Sequence, residues 1–352
     1  MKNLNLKKLI LLTRPRIKIK KKQILPSVVV FLLLFAWFFA WITEAIYVPI
    51  EPTPTVKVFV IEKGDSLEKI SFNLKDKELI RSQTAFSIYA TLTGKRNKLI
   101  AGGYELSPSM NMPEILKKIV AGDIVKARIS VMAGWDLPDI ALALQEEEIC
   151  QAGDILSTAR KDFSDEFSFL KDRPEGLDLE GYLFPDTYEM KVGDTAEIIL
   201  RKMLKNFEGK VSGELLRDIE SSGKSFAEII IMASLLEKEV RSYNDKQMVA
   251  GILWKRIRND WPLQVDATIV YATGKSGNDI LRSDYKHESD YNTYTNKGLP
   301  PGPICNPGLD SIKATVYFQE NPYWYYLTAR SGETLFSITL DEHNTKRALY
   351  MR

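Results

Sequence analysis

The chain has 352 residues, 45% hydrophobic and 27% charged, with a formal net charge of +2. That composition is ordinary for a globular protein and leaves room for two or three domains, but it names no function. The near-neutral total hides a segregation: Lys2, Lys7, Lys8, Arg14, Arg16, Lys18, Lys20, Lys21 and Lys22 all precede the first acidic residue, Glu44, which leaves 39 basic against 46 acidic residues, or about −7, for the rest. A nucleic-acid binder carries its basic excess on the folded part, so nucleic acid is not expected as a partner.

After this basic arm, residues 1–25, comes an uncharged apolar run over residues 26–43 that continues through Ala45-Ile-Tyr-Val48. It reaches the roughly 20 residues a helix needs to cross a bilayer. Trp41 and Tyr47 stand toward its far end, where aromatic rings favour the headgroup level, and the Lys/Arg bias puts the N-terminus in the cytoplasm. A cleaved signal peptide is the alternative; the run is long for one and lacks a small-x-small cleavage site, so a transmembrane helix over 26–48 is expected. Glu51-Pro-Thr-Pro-Thr55 reads as a stiff spacer over 49–55 that lifts the folded part off the membrane.

From residue 56 the periodicity predicts a strand at 56–61, a helix at 67–74 capped by Asp65 or Ser66, a helix at 82–92, a strand at 102–106 and a helix at 112–121, closing a small α/β domain over 56–124. A similar strand-Gly-helix unit recurs at 125–132, Gly134 and 137–144. Beyond it, helices are predicted at 194–207, 212–221, 225–240 and 244–258, and strands at 324–327 and 335–339. This alternation favours an α+β domain over 125–352 rather than a doubly wound sheet. No Gly-x-Gly-x-x-Gly or Walker-type loop supports nucleotide chemistry. Cys150, Cys305, His287 and His343 are the only cysteines and histidines, too few for a disulfide framework, and none has metal-ligand spacing. No metal site and no cofactor is expected.

The most informative helix is the one at 225–240. Phe226, Ile230, Ala233 and Val240 mark an apolar stripe, and Glu237 falls on it, whereas Glu239 lies roughly 200° around and points away. A carboxyl on a core-facing stripe is costly unless neutral or hydrogen-bonded, and the neutral form is what a general acid needs. The same position also suits a carboxyl that caps or pairs within the core. Tyr291-Asn-Thr-Tyr294 reads as an ordinary loop or as aromatic faces and polar handles for a sugar, with Tyr291, Asn292, Thr293 and Tyr294 as contacts. Gln264 and Asp266, two apart, share a face if extended and suit N-acetyl or hydroxyl groups, or a structural hydrogen bond. Residues 298–308 read as a turn-rich connector or a rigid cleft wall that contributes Asn306, and residues 181–188 as packing that contributes Tyr188.

Five stretches together, Leu179-Glu-Gly-Tyr-Leu-Phe-Pro-Asp-Thr-Tyr188, Ala233-Ser-Leu-Leu-Glu-Lys-Glu239, Leu263-Gln-Val-Asp-Ala-Thr-Ile-Val-Tyr271, Tyr291-Asn-Thr-Tyr294 and Gly298-Leu-Pro-Pro-Gly-Pro-Ile-Cys-Asn-Pro-Gly308, resemble the endolytic murein transglycosylase family. The resemblance covers nearly all of the chain from Val56 onward. It implies a membrane-anchored enzyme with a LysM-like domain ahead of an α+β catalytic domain, and it puts the catalytic glutamate at the first Glu of Glu-Lys-Glu, Glu237. It further implies cleavage of the MurNAc–GlcNAc bond of peptidoglycan strands to leave 1,6-anhydro ends, one carboxyl serving as acid and then base, with the cytoplasmic membrane as its seat and peptidoglycan synthases as partners. A hydrolytic muramidase and a non-catalytic glycan-binding scaffold are the alternatives. Thr334 departs from the pattern by standing where the family often has His.

Overall fold

A computed structural model describes residues 21–350 apart from Ser276. Most of the basic arm, residues 1–20, lies outside these described residues. The chain divides into two compact units between Asp123 and Ile124.

The first unit begins with α1, Lys21–Tyr47, whose stretch Val28–Tyr47 is long and apolar enough to cross a membrane. From Val28 to Phe39 its large apolar side chains are exposed, but Ala45 and Ile46 are buried within this same unit. Two antiparallel strands come next, β1 (Lys57–Ile61) and β2 (Gly102–Leu106), with Phe59 opposite Tyr104. Period-two alternation turns Phe59 and Ile61 into the core. Around them pack α2 (Leu67–Asp76), α3 (Gln83–Leu92) and α4 (Met112–Ala121). Ser66, Ser82 and Asn111 N-cap these three helices; Asn111 and Glu114 form a reciprocal capping box, and Gly122 closes α4 in the left-handed conformation. The expected spacer is only partly free. The amides of Ile50 and Glu51 donate to the Pro108 carbonyl at 2.9 and 3.2 Å, and Arg81 donates to the Val48 and Pro49 carbonyls.

The second unit runs β3 (Lys126–Ser130), α5 (Leu137–Glu146), α6 (Ala152–Thr158), β4 (Thr187–Lys191), α7 (Ala196–Lys210), α8 (Glu214–Ser221), α9 (Phe226–Glu239), α10 (Tyr243–Arg258), α11 (Asp266–Thr273), α12 (Leu309–Val316), β5 (Tyr325–Thr328), β6 (Thr334–Ser337) and α13 (Leu340–Tyr350). Its strands form two separate antiparallel pairs, β3 with β4 and β5 with β6. The architecture is mixed α and β, with no parallel sheet among the described residues. At its centre lies α9, which packs against α8, α10, α11 and α12. Ser225 starts it with a capping box to Glu228. Phe226, Ala227 and every residue from Ile229 to Leu236 are buried, so the helix has no solvent face and the single stripe read from the sequence does not set its orientation.

One further expectation is corrected. Residues 264–266 are not an extended run: Gln264 sits at φ 53° and Asp266 opens α11. The 181–188 stretch does pack, and tightly. Gly181 has φ +88°, and a Cβ there would meet the Pro303 ring at 2.5 Å. Gly181→Ala is therefore expected to destabilise the protein by about 3 kcal/mol through left-handed strain plus overpacking. Chemical denaturation would check this, and an unchanged midpoint would refute the close approach.

Candidate active site

The Glu-Lys-Glu end of α9 presents two carboxyls to two different environments. Glu237 is only 12% exposed, and its side chain is enclosed by donors. Lys246 of α10, 6% exposed, donates to Oε1 at 3.1 Å; the Gly308 amide and the Ser311 hydroxyl donate to Oε2 at 2.9 and 2.6 Å. Gly308 caps α12, so the carboxylate also meets the positive end of that helix. Donors thus reach both oxygens, so the surroundings of this carboxyl are polar and not the purely apolar ones expected at this position.

Glu239 takes the other side and lines a cleft of about 780 Å³ together with Gln264, Asp266, Tyr294, Tyr326 and His343. Burial, then the negative charge of Asp266, pushes its carboxyl up to about 7; the Tyr326 hydroxyl, the Ala267 amide at the start of α11 and the Arg256 guanidinium act in the opposite sense. The protonated and ionised forms are thus both accessible near neutrality. Arg256 is buried and fixed by its own donors, Nε and Nη2 to the Trp324 carbonyl and Nη1 to that of Leu263. The Tyr294 hydroxyl donates to Asp266, and the Tyr294 and Tyr285 rings meet edge to face at 4.7 Å. His343 of α13 stacks on Tyr325 at 5.4 Å; burial, with Arg347 and Arg256 nearby, holds its imidazole below the usual range. The Thr334 hydroxyl, where the family often has His, donates to Asp245 at 3.0 Å.

Of the residues expected to contact sugar, Gln264, Asp266 and Tyr294 come together in this cleft, and Tyr291 lies instead against Tyr271 beside a second cavity. The other four are held inside the fold. Tyr188 is buried on β4, donates to the Phe184 carbonyl and accepts from Asn206. Asn292, 0% exposed, donates to the Tyr285 and His287 carbonyls and accepts from the Tyr294 amide. Thr293 accepts from the Val265 amide and shares a hydrogen bond with Thr268. Asn306 accepts from the Leu183 amide and donates to the Trp135 carbonyl and to Glu180. All four are buried, with their polar atoms engaged by the protein itself. Arg256 and Tyr326 are not singled out from the sequence; Glu239 is named there as lying off the stripe, and the resemblance gives the catalytic role to the first Glu of Glu-Lys-Glu.

The profile of the YceG-like family matches residues 59–348. The chain is similar to an endolytic murein transglycosylase of Bacillus subtilis (strain 168), at 33% identity over 318 residues that cover 86% of this chain and 87% of the relative. It is also similar to one of Streptococcus pneumoniae serotype 2, at 28% identity over 312 residues covering 81% of this chain and 56% of that protein. The crystal structure of a YceG-like protein from Listeria monocytogenes superposes with a TM-score of 0.57 at 32% identity, covering 83% of this chain and 99% of the other.

A third carboxyl gives a test that is independent of turnover. Glu180 accepts from the Leu137 and Gly181 amides and from Asn306, yet burial outweighs these and pushes it up to about 8. Its ordinary value is 4.5, so between about 4.5 and 8 the folded state binds a proton that the unfolded state has released, and stability falls as pH rises through that window. Glu180→Gln is expected to flatten this slope. Thermal unfolding at pH 5 and pH 8 would read it, and an equal fall in variant and wild type would remove the assignment.

Proposed function

Since the chain belongs to the YceG-like family, we propose that it is an endolytic lytic transglycosylase of murein glycan strands, with Glu239 as its general acid and base. The observation that carries this reading is the cleft in which a carboxyl titrating near neutrality faces polar and aromatic groups suited to a sugar. Protonated Glu239 donates to the oxygen linking MurNAc to GlcNAc, and an oxocarbenium-like centre develops as that bond breaks. The carboxylate left behind takes the proton of the muramic C6 hydroxyl as its oxygen bonds to C1, giving a 1,6-anhydro end without water. Asp266, aligned by the Tyr294 hydroxyl, lies where its negative charge favours that centre. Glu237, to which the motif alone would give the catalytic role, instead holds the α12 end and the 298–308 wall.

A second carboxylate in the same cleft also favours a hydrolytic reading, with Asp266 activating water. The ends produced separate the two: anhydro ends for the transglycosylase, reducing ends for the muramidase, and no new ends for a glycan-binding scaffold.

We read α1 as a membrane anchor that leaves both units on the outer face of the cytoplasmic membrane, with the first unit as the LysM-like module. There the enzyme meets nascent strands beside the synthases that make them and limits their length. No step in this scheme requires a metal or an organic cofactor.

Glu239→Gln is expected to lower turnover at least about a thousandfold while leaving the unfolding midpoint in place or raised, since the amide keeps the shape and loses the proton. Glu237→Gln should have the opposite profile: about 3 kcal/mol less stable, because Lys246 is left buried and unpaired, but still active when folded. A well-folded, inactive Glu237→Gln beside an active Glu239→Gln would reverse the assignment. Wild-type activity should fall about tenfold per pH unit above about 7, as the acid form of Glu239 disappears. A pH–rate profile on purified strands, with chemistry rate-limiting, measures this.

A further inference from the structure

The second unit holds another cavity, of about 320 Å³, that shares no lining residue with the Glu239 cleft. Its wall includes Arg173, Asp178, Glu180, Tyr182, Tyr271 and Tyr291. Two of its donors lack partners. The Tyr182 side chain is 1% exposed and its hydroxyl is buried without a hydrogen bond; Nη1 of Arg173 is in the same state, although Nη2 reaches the Lys161 carbonyl at 3.4 Å. Buried donors are almost always satisfied, so two orphans on one cavity mark the place of a missing acceptor. A carboxylate supplies two acceptor oxygens and the charge that a guanidinium prefers. Asp178, on the same wall, provides the complementary charge for an ammonium group, and the Tyr271 and Tyr291 rings, 5.0 Å apart, offer apolar faces between the two. Burial keeps Glu180 protonated near neutrality, so it does not repel an incoming carboxylate.

We propose that this cavity is a peptide subsite that takes an amino-acid-like group, carboxylate toward Arg173 and Tyr182 and ammonium toward Asp178. It rests on the murein reading above, because murein strands carry short peptides with such groups. The elements connect the two cavities. α11 presents Asp266 to the catalytic cleft and Tyr271, about 8 Å further along its axis, to this one. The 291–294 segment likewise gives Tyr291 to this cavity and Tyr294 to the cleft. A strand lying in the cleft can therefore seat its appended peptide here, and the enzyme distinguishes peptide-bearing from bare glycan.

The test uses the full-length protein in detergent, peptide-bearing strands, the same strands stripped by an amidase, and the peptides that the amidase releases. In calorimetry the released peptides should bind the wild type, Arg173→Gln should weaken binding about tenfold, and Tyr182→Phe, which removes only an unpartnered hydroxyl, should weaken it several-fold. In turnover both variants should raise KM for peptide-bearing strands with kcat held, and leave stripped strands unchanged. Unaltered peptide binding in both variants, or an equal loss on both kinds of strand, overturns the subsite. Should Arg173→Gln fail to fold, Tyr182→Phe decides alone. A wild type that binds the peptides but cuts neither strand refutes the transglycosylase reading and not the subsite.

Discussion

The second unit is organised by the enclosure of α9. A helix that is apolar on every side cannot lie on a surface, so α8, α10, α11 and α12 must surround it, and the hydrophobic effect that enforces this also fixes the helix rigidly in place. Only at its C-terminal end does polarity return, and there two glutamates two residues apart emerge on opposite sides. One meets a buried lysine and a helix N-terminus; the other meets a cleft. Identical side chains on one turn of helix thereby meet different surroundings.

By accepting from Gly308 and Ser311, Glu237 holds the start of α12 and the end of the 298–308 loop; Ser234, one turn earlier on α9, accepts from the Ile304 amide. Asn306 continues the lattice: its backbone pairs with residues 134 and 135, and its side chain with Leu183, Trp135 and Glu180. Loop segments far apart in sequence are thus joined by directional hydrogen bonds to one helix. Such joining is what a preorganised site requires, since groups already in place need not reorganise as charge develops.

Much of this was legible in the sequence. In the first unit, strand and helix periodicities, the serine and asparagine caps and Gly122 give each element almost at its observed bounds, because those signals are local. The second unit is harder. β4 exists through its pairing with β3 some sixty residues earlier, and α11 and α12 are short helices whose stability comes from packing rather than propensity. The motifs name segments that line one cleft, but not which of their side chains reach it. Tyr294, Gln264 and Asp266 reach the cleft, whereas Asn292, Thr293 and Asn306, which look like sugar-binding groups on paper, have their polar atoms claimed by backbone from other segments. Glu237 is singled out by the resemblance as well as by an apolar stripe, but α9 is buried around most of its circumference, and Lys246, which pairs with Glu237, comes from the next helix.

The junction after α1 has a mechanical meaning. Ala45 and Ile46 are embedded in the first unit, the amides of residues 50 and 51 are tied to Pro108, and Arg81 grips the carbonyls of residues 48 and 49, all before the Pro-Thr-Pro segment begins. The proline-rich stretch therefore does not act as a leash between helix and unit. If α1 crosses the bilayer, the first unit rides on it as a rigid head on a mast: its height above the lipid is set within a few ångströms, and every tilt or rotation of the helix becomes a tilt or rotation of the head.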